Sequence, residues 1–170
     1  MSYNVDMITE IPKNSYVKYE FDKKEKMIRC DRILGTSMQY MGNYGYIPNT
    51  LSEDNDPIDC LMLCDYPLYP MTIVTVRIIG VLLMEDESGN DEKLIVVPIT
   101  KVDPTYSNVN NYTDLPESLI AKIKHFFEHY KDTSPDKWVK VDKFADREKG
   151  FEMYKESQRR FRRANQCADA

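Results

Sequence analysis

The sequence predicts a mainly β protein with two helices, in which short strands form a small closed or partly closed barrel. Three observations support this α+β fold class. Apolar and polar residues alternate through the first two thirds of the chain, and turn residues separate the alternating segments. In much of the last third, apolar residues recur at helical spacing. Successive short strands without intervening helices are typical of sandwiches and barrels. The length of 170 residues predicts one domain covering residues 1–170.

Six segments have the composition and alternation of β-strands. They are residues 5–11, 15–22, 25–30, 59–64, 73–84 and 93–99. In SYVKYEFD, the alternation places Lys18 and Glu20 together on a polar face. The segment EDESGNDEK, residues 85–93, predicts a hairpin connection because it contains Ser, Gly and Asn.

A helix is predicted within LPESLIAKIKHFFEHY, residues 115–130. Apolar residues such as Ile123 and Phe127 recur there at helical spacing and indicate a face that packs on the core. Asp114 and Glu117 are three residues apart and resemble a capping box at the start of this helix.

A short strand and a second helix are predicted to end the chain. The strand is KWVKVDKF at 137–144, and the helix runs from about Asp146 to Ala164. The basic residues RRFRR at 159–163 then lie near the end of this helix, where positive charge is favourable for the helix dipole.

The bulk composition excludes several classes of protein. Hydrophobic residues make up 42% and charged residues 30% of the chain, which is ordinary for a globular protein. The formal net charge of −5 argues against a general nucleic-acid-binding protein, which normally carries a basic excess. No amino-terminal leader is visible, and the longest apolar run, residues 73–84, contains Arg77 and is too short to span a bilayer. We therefore expect a cytoplasmic protein with no membrane or nucleic-acid partner.

The cysteines predict buried free thiols. Four cysteines in a chain of this size do not make a disulfide scaffold. Cys60 and Cys64 lie four apart on a predicted strand, so they share a face, and they lack the CxxC spacing of a zinc knuckle.

The segment EDNDPIDC, residues 53–60, gathers Asp54, Asp56 and Asp59 within six positions. Three carboxylates this close repel one another, and each is costly to desolvate alone. A calcium-binding EF-hand is excluded, because counting from Asp54 places aspartate where that loop needs glycine and its final glutamate. An ordinary acidic surface turn remains open when this segment is considered alone.

Magnesium binding gives these acids a chemical purpose. Mg²⁺ prefers oxygen ligands and is usually held by one or two carboxylates together with substrate phosphates. Asp54 and Asp59 could bind such cations and leave Asp56 to orient or deprotonate a water molecule. Two cations close together would let a shared hydroxide attack phosphorus.

The rest of the chain favours a phosphate substrate. A second acidic run supplies Asp86 and Asp91, closely followed by Lys93. Further cations and phenols are spread along the chain at Lys18, Arg32, Tyr40, Tyr44, Tyr130 and Lys131. Arginine and lysine bind phosphate oxygens, and tyrosine hydroxyls donate hydrogen bonds to them. No GxxxxGK[ST] segment is present, which excludes a P-loop enzyme.

The segment HFFEH, residues 125–129, matches the HxxEH pattern of inverted zinc peptidases. His125 and His129 are the only histidines, and a catalytic zinc needs a third protein ligand besides them. The helix that carries them also has an apolar face to bury. A surface or subunit contact is therefore the favoured interpretation.

The chain resembles the family I soluble inorganic pyrophosphatases of the bacterial type, from about Thr9 to Phe144. The matching stretches are TEIP, KYEFD, DR at 31–32 followed by a tyrosine, NYGYIPNTL, EDNDPID, EDESGNDEKL, HFFEHYKD and KWVKV. The family signature DxDPxD is present as Asp54, Asp56, Pro57 and Asp59. The resemblance implies an OB-like five-stranded β-barrel with two packed helices. It also implies hydrolysis of pyrophosphate to two phosphates by a magnesium-bound hydroxide, which makes biosynthetic reactions irreversible.

The resemblance also implies roles for individual residues. The metal ligands are expected to be Asp54, Asp59, Asp86 and Asp91, with Glu20 nearby. The catalytic group is expected to comprise Asp54, Asp56 and Tyr44, with Asp56 activating the water. The substrate-binding residues are expected to be Lys18, Arg32, Tyr44, Lys93, Tyr130 and Lys131, with Tyr40 and Glu10 also in the polar cavity.

Several Mg²⁺ ions per site are expected from the resemblance, with Mn²⁺ as a substitute, and the expected assembly is a homohexamer with a subunit contact on the helix of His125 and His129. The chain departs from the family pattern at Met41, Asn55 and Met71, where we expect proline, glycine and glycine. Two alternatives stay open: a metal-dependent nucleotide or polyphosphate hydrolase, and a non-enzymatic OB-like module that binds nucleic acid.

Overall fold

A computed structural model describes residues 2–168, except the side chains of residues 167 and 168. Its strands are β1 (Asn4–Ile11), β2 (Val17–Asp22), β3 (Met27–Ile33), β4 (Asn43–Tyr46), β5 (Asp59–Met62), β6 (Ile73–Asp86), β7 (Gly89–Asn90), β8 (Lys93–Pro98) and β9 (Val139–Asp146). Its helices are α1 (Glu117–His129) and α2 (Arg147–Ala168). Two short 3₁₀ helices, Pro104–Tyr106 and Tyr112–Asp114, precede α1.

Five strands close into a ring. Strand β1 pairs antiparallel with β4, β4 pairs antiparallel with β5, and β5 pairs parallel with β8. Strand β6 then pairs antiparallel with both β8 and β1, which completes the closure. This arrangement confirms the predicted five-stranded OB-like barrel. Strands β7 and β9 extend the sheet from β6, and β2 and β3 form a separate two-stranded sheet.

Sequence patterns located most strands, but strand β4 was missed. Its four residues, NYGY, are too few to show a clear alternation and include Gly45. A side chain at position 45 would collide with the backbone carbonyl of Ile8 on β1, so glycine permits this close strand contact. This short strand, which the sequence pattern did not predict, is one of the five strands that close the barrel.

Apolar residues of the ring pack in two directions. Toward α1, Ile79, Leu82 and Ile95 form one cluster with Ile123 and Phe127 of the helix. Toward α2, a second cluster is built from the alternate side chains of the same strands and is covered by aromatic residues of that helix. This two-sided packing explains why β6 and β8 are buried over most of their length.

Helix α2 approaches the sheet very closely at one point. A side chain at Gly150 would stand 3.0 Å from the carbonyl oxygen of Gly80 on β6, so glycine at position 150 permits the contact. The helix begins within one residue of the predicted start and continues to Ala168, beyond the predicted end.

The predicted capping box of α1 is wrong. Pro116 precedes the helix with extended backbone and makes no side-chain cap, so the helix starts after it. The carboxylate of Asp114 instead accepts hydrogen bonds from the backbone N–H groups of Asn110 and Asn111, at the start of the preceding 3₁₀ helix. Asp114 therefore caps the 3₁₀ helix before α1 and does not cap α1 itself.

The cysteine prediction is confirmed for the two buried thiols. Cys60 and Cys64 are free and buried in the cluster that faces α2. Cys30 is free and exposed, and the side chain of Cys167 lies outside the described residues. Among residues 2–168, no helix has both the length and the apolar character required to cross a bilayer.

Met71 occupies a left-handed backbone conformation that glycine adopts without strain. Its φ angle is +67°, and the residue is partly exposed at 36%. The left-handed region costs a residue with a side chain about 1–2 kcal/mol. This geometry explains why glycine was expected here from the family pattern.

We predict that Met71→Gly raises the free energy of unfolding by about 0.5–1 kcal/mol, because relief of the strained backbone exceeds the greater freedom of glycine in the unfolded chain. Equilibrium unfolding in urea at fixed protein concentration measures the effect. Met71→Ala is the matched control, since it removes the side chain but keeps the strained backbone. Equal stability of the two variants would contradict this explanation.

Candidate active site

The parallel pairing of β5 with β8 brings the two acidic segments together. In this pairing Asp59 is the direct partner of Lys93. Parallel strands begin at the same edge of a sheet, so the segments that lead into them lie side by side. These are the acidic bend, residues 53–58, and the β6–β8 connection, residues 86–92.

A polar cavity of about 750 Å³ opens at this edge. Every residue for which the sequence analysis predicted a site role lines it: Glu10, Lys18, Glu20, Arg32, Tyr40, Tyr44, Asp54, Asp56, Asp59, Asp86, Asp91, Lys93, Tyr130 and Lys131. These residues come from strands β1 to β6, from β8, and from the segments before β4, before β5, before β8 and after α1. The individual roles of these residues remain predictions.

The acidic bend is a tight turn held by its own backbone. The Ser52 N–H donates to the Asp56 carbonyl at 2.7 Å, and the Asp56 N–H donates to Asp54 Oδ1 at 3.0 Å. Asn55, between the two aspartates, has a φ angle of +69°. Asparagine tolerates this left-handed geometry, as expected for a residue that replaces glycine. The turn presents both exposed carboxylates at the cavity.

Lys93 is the most deeply buried cation of the site. Its side chain is only 2% exposed, and its Nζ donates to Asp59 Oδ2 at 2.6 Å and also to Asp91 Oδ1. The Tyr44 hydroxyl donates to the same Asp59 oxygen at 2.7 Å. Burial acts to lower the pKa of Lys93, but the two carboxylates raise it well above its usual value. Lys93 is therefore charged and balances two of the acids.

The crowded carboxylates show the electrostatic cost of their arrangement. Burial and the nearby carboxylate of Asp59 raise the pKa of Asp91 to about 6, although Lys93 opposes the shift. Burial also raises the pKa of Asp54, with Asp56 and Asp59 adding to the effect. A bound cation would relieve this repulsion, since positive charge favours the ionised form of a carboxyl group.

A second ion pair lies across the cavity. Lys131 Nζ donates to Asp86 Oδ2 at 2.7 Å and lies 3.7 Å from Glu87 Oε2. Burial acts to raise the pKa of Asp86, but hydrogen bonds from Lys131 and from the Ser88 N–H hold it below its usual value. Asp86 is therefore ionised and linked to a predicted phosphate-binding lysine.

Asp31 is a charged residue that the sequence analysis did not find. A β-bulge interrupts the β2–β3 register: Lys18 pairs with Arg32 and Tyr19 with Cys30, so Asp31 is the extra residue. Its Oδ2 lies 3.4 Å from Lys18 Nζ and 3.2 Å from Arg32 Nε. Regular alternation would place Asp31 and Arg32 on opposite faces. The bulge puts this carboxylate between two cations, which the alternation of the strand does not predict.

Buried phenols line the inner wall. Tyr40 lies 5.5 Å from Tyr44 and 5.0 Å from Phe126, measured between ring centroids. Burial raises the pKa of Tyr40, Tyr44 and Tyr130 above the usual tyrosine value. These hydroxyls stay protonated. That of Tyr44 donates to Asp59, and those of Tyr40 and Tyr130 can donate hydrogen bonds to an anionic ligand.

Glu10 lies deeper in the same cavity. Its Oε2 accepts a hydrogen bond from the Phe21 N–H at 2.7 Å, which joins β1 to the β2–β3 sheet. Burial, reinforced by the charges of Asp59 and Glu20, raises its pKa to about 7 although that hydrogen bond opposes the shift. The acids of the cavity therefore differ in pKa: that of Glu10 and Asp91 is raised, and that of Asp86 is lowered.

The donor chemistry of the cavity suits a hard divalent cation. Asp54, Asp59, Asp86, Asp91 and Glu20 provide carboxylate oxygens, the ligands that Mg²⁺ prefers. Among the described residues, however, no three acidic, histidine or cysteine side chains already converge as a metal-ligand group. Lys93 and Lys131 hold three of the acids in ion pairs instead. The carboxylate oxygens are therefore suitable ligands for the cation, and three of the carboxylates are paired with lysines in this structure.

The two histidines lie outside this cavity, on the exposed side of α1. The ring centroids of His125 and His129 are 4.6 Å apart, and His129 Nδ1 lies 2.7 Å from Asp132 Oδ2. The placement on one helix face is as the HxxEH spacing predicts. Within residues 2–168, no third ligand joins them to form a metal cluster.

Comparison with known proteins decides the family. Residues 7–162 match the profile of a family described as inorganic pyrophosphatase. The chain belongs to the inorganic pyrophosphatase family. It is 52% identical over 137 residues to the inorganic pyrophosphatase of Saccharolobus solfataricus, covering 81% of this chain and 80% of that protein. It is 48% identical over 149 residues to the inorganic pyrophosphatase of Campylobacter jejuni, covering 88% and 87%.

Solved structures of the family have the same fold. An inorganic pyrophosphatase from Helicobacter pylori superposes with a TM-score of 0.91 at 45% identity, covering 94% of each chain. One from Thermus thermophilus superposes with a TM-score of 0.90 at 41% identity, covering 94% of this chain and 92% of the other. The likeness includes bacterial relatives, as the sequence resemblance predicted, and family membership implies a divalent metal cofactor.

We predict that Lys93→Met lowers the free energy of unfolding by about 3 kcal/mol in the presence of chelator, because it leaves Asp59 and Asp91 unbalanced in a buried setting. Saturating Mg²⁺ should recover part of the loss, since the cation replaces the missing positive charge. Denaturant unfolding with and without Mg²⁺ measures both quantities.

Lys18→Met is the matched control for this prediction. Lys18 pairs with Asp31 in a more exposed position, so its loss should cost less than about 1 kcal/mol. Similar losses for the two variants, or no recovery with Mg²⁺ for Lys93→Met, would show that Lys93 does not balance the acids.

Proposed function

We propose that this protein hydrolyses inorganic pyrophosphate to two phosphates with Mg²⁺ as its cofactor and Mn²⁺ as a substitute, and so makes biosynthetic reactions irreversible. Family membership supports the reaction. The observation that carries the proposal in this chain is one cavity in which Asp54, Asp56 and Asp59 face Lys18 and the other predicted phosphate-binding residues. Such a cavity can hold a small, highly charged phosphate ester or anhydride between cations.

The bound divalent cations would supply neutralisation of the phosphate oxygens and a lowered pKa for a coordinated water molecule. The residues of the chain do the rest. Lys18, Arg32 and Lys131 bind and orient the phosphoryl groups by charge-assisted hydrogen bonds. Tyrosine hydroxyls, kept protonated by burial, donate to phosphate oxygens without adding negative charge. Most of the rate enhancement then comes from positioning and charge stabilisation.

Asp56 is the residue we propose to accept the proton of the attacking water. It stands at the tip of the acidic bend, in a turn fixed by the hydrogen bond from its own N–H to Asp54. Lys93 holds Asp59 and Asp91, and Asp56 lies outside that ion pair. Its carboxylate is thus available as a base, beside the proposed metal ligands.

We predict that Asp56→Asn folds normally but lowers the rate of phosphate release from pyrophosphate by about 10²–10⁴-fold, the usual contribution of a general base. A phosphate-release assay at saturating Mg²⁺ measures turnover, and circular dichroism checks the fold. Asp6→Asn is the control, since Asp6 is exposed and contacts Thr75 away from the cavity. Near-normal turnover of Asp56→Asn would remove it from the proposed role.

A metal-replacement assay tests the reaction and its cofactor together. We expect pyrophosphate hydrolysis with Mg²⁺, weaker activity with Mn²⁺, and little with Ca²⁺ or with chelator, because the larger and looser coordination of Ca²⁺ misplaces the reacting groups. Failure of the wild-type protein to release phosphate from pyrophosphate with Mg²⁺ and with Mn²⁺ would overturn the proposed function.

The two alternative functions are not favoured by the comparisons. A nucleotide or polyphosphate hydrolase would cleave ATP or tripolyphosphate with Mg²⁺ as fast as pyrophosphate. A nucleic-acid-binding module would bind an oligonucleotide in EDTA with a strong salt dependence. The same protein preparation can be used for both comparisons with pyrophosphate.

We also propose a cytoplasmic homohexamer. The resemblance to bacterial members of the family supports this assembly, and the exposed face of α1 with His125 and His129 supports a contact there. Light scattering after size-exclusion chromatography should give about six times the 20.0 kDa of one chain. A monomeric mass would contradict the proposed assembly without affecting the proposed reaction.

A further inference from the structure

Helix α2 contacts the segments that carry the catalytic acids, from the side opposite the cavity. The Leu51 N–H, just before the acidic bend, donates to the carbonyl of Ser157 in the middle of α2 at 3.0 Å. The side chain of Ser157 is fully buried and donates to the Tyr154 carbonyl at 2.7 Å. The acidic bend is therefore anchored to a helix that does not itself line the cavity.

The side chain of Glu53, in the acidic bend, contacts both the β6–β8 connection and helix α2. Glu53 Oε2 accepts a hydrogen bond from Asn90 Nδ2 at 2.9 Å, and Glu53 Oε1 lies 3.6 Å from Arg160 Nη2 of α2. Each carboxylate oxygen thus has its own partner. We refer to the three residues Glu53, Asn90 and Arg160 as the α2 link.

The positions of the α2 link in the chain connect it to the site. Glu53 directly precedes Asp54, and Asn90 directly precedes Asp91, two of the proposed metal ligands. The two segments are 37 residues apart in sequence, and the hydrogen bond between Glu53 and Asn90 fixes their separation. A cation bound by both segments needs that separation to be held, because ligand positions off by a fraction of an ångström weaken coordination.

We propose that Glu53 and Arg160 are positioning residues, which hold the two acid-bearing segments at the spacing that divalent cations require. This inference rests on the proposed function for the identity of the cation. The side chain of Glu53 is 56% exposed, so it would move among rotamers without Arg160. The charge of Arg160 keeps its carboxylate directed at Asn90. Helix α2 then contributes to cation binding besides packing on the sheet.

Binding of Mg²⁺ in the absence of substrate tests the α2 link. Isothermal titration calorimetry should show that Glu53→Ala and Arg160→Ala each weaken Mg²⁺ binding about fivefold, the scale of an exposed ion pair and hydrogen bond. At saturating Mg²⁺, turnover of pyrophosphate should stay within about twofold of wild type. Arg159→Ala is the matched control, because Arg159 is the exposed neighbour of Arg160 on α2.

A double-mutant cycle separates positioning from a general loss of stability. If Glu53 and Arg160 act through each other, the double variant should bind Mg²⁺ no more weakly than the worse single variant. Arg160→Lys should restore Mg²⁺ binding to within about twofold, because it keeps the positive charge. If the alanine variants are too unstable to titrate, Arg160→Lys and Glu53→Gln replace them, with near-normal binding expected for the first and weakened binding for the second.

The failures of the two proposals are distinguishable. Unchanged Mg²⁺ binding by the link variants, with normal pyrophosphate hydrolysis by the wild-type protein, would overturn the α2 link alone. Additive losses in the double variant, or equal losses for Arg159→Ala, would overturn it too. Absence of pyrophosphate hydrolysis by the wild-type protein would overturn the proposed function, while the Mg²⁺ titrations would still measure the link.

Discussion

The parallel pairing of β5 and β8 is the constraint on which the site depends. It aligns Asp59 with Lys93 and places the segments before both strands at one edge of the barrel. An antiparallel pairing would send one acidic segment to the opposite end of the ring. The aspartates of the two acidic segments line one cavity because this edge is part of a closed ring, which holds like charges near one another against their repulsion. The folding free energy of the barrel therefore supports the charge density of the site.

Lysines and divalent cations are alternative partners for these acids. In the structure, Lys93 and Lys131 hold three of the proposed metal ligands in ion pairs, and burial and mutual repulsion raise the pKa of Asp91. Such ion pairs favour the ionised form of these carboxyl groups. Lys93 and Lys131 are also predicted phosphate-binding residues, so a cation that bound these carboxylates would leave the lysines to contact phosphate oxygens.

The sequence predicted the barrel, both helices and the residues of the cavity, because each rests on local alternation or on a short ordered motif. It could not predict features that arise between distant segments. Strand β4 is too short to alternate visibly, and Gly45 makes sense only beside Ile8. The bulge that places the carboxylate of Asp31 between Lys18 and Arg32 depends on the register between two strands. The capping box failed because Asp114 has a nearer use, and the bond between Glu53 and Asn90 joins residues that no local pattern relates.

The hairpin of β2 and β3 forms its own sheet beside the ring, although it supplies Lys18 and Arg32 to the cavity. The aspartates of the two acidic segments thus come from the barrel and the segments that lead into its strands, whereas Glu20 and two of the predicted phosphate-binding residues come from the hairpin. Changes in hairpin length or tip composition leave the ladder of the ring intact. Natural variation or laboratory selection in the hairpin can therefore alter which substrate fits the entrance of the cavity, while the aspartates on the barrel stay unchanged.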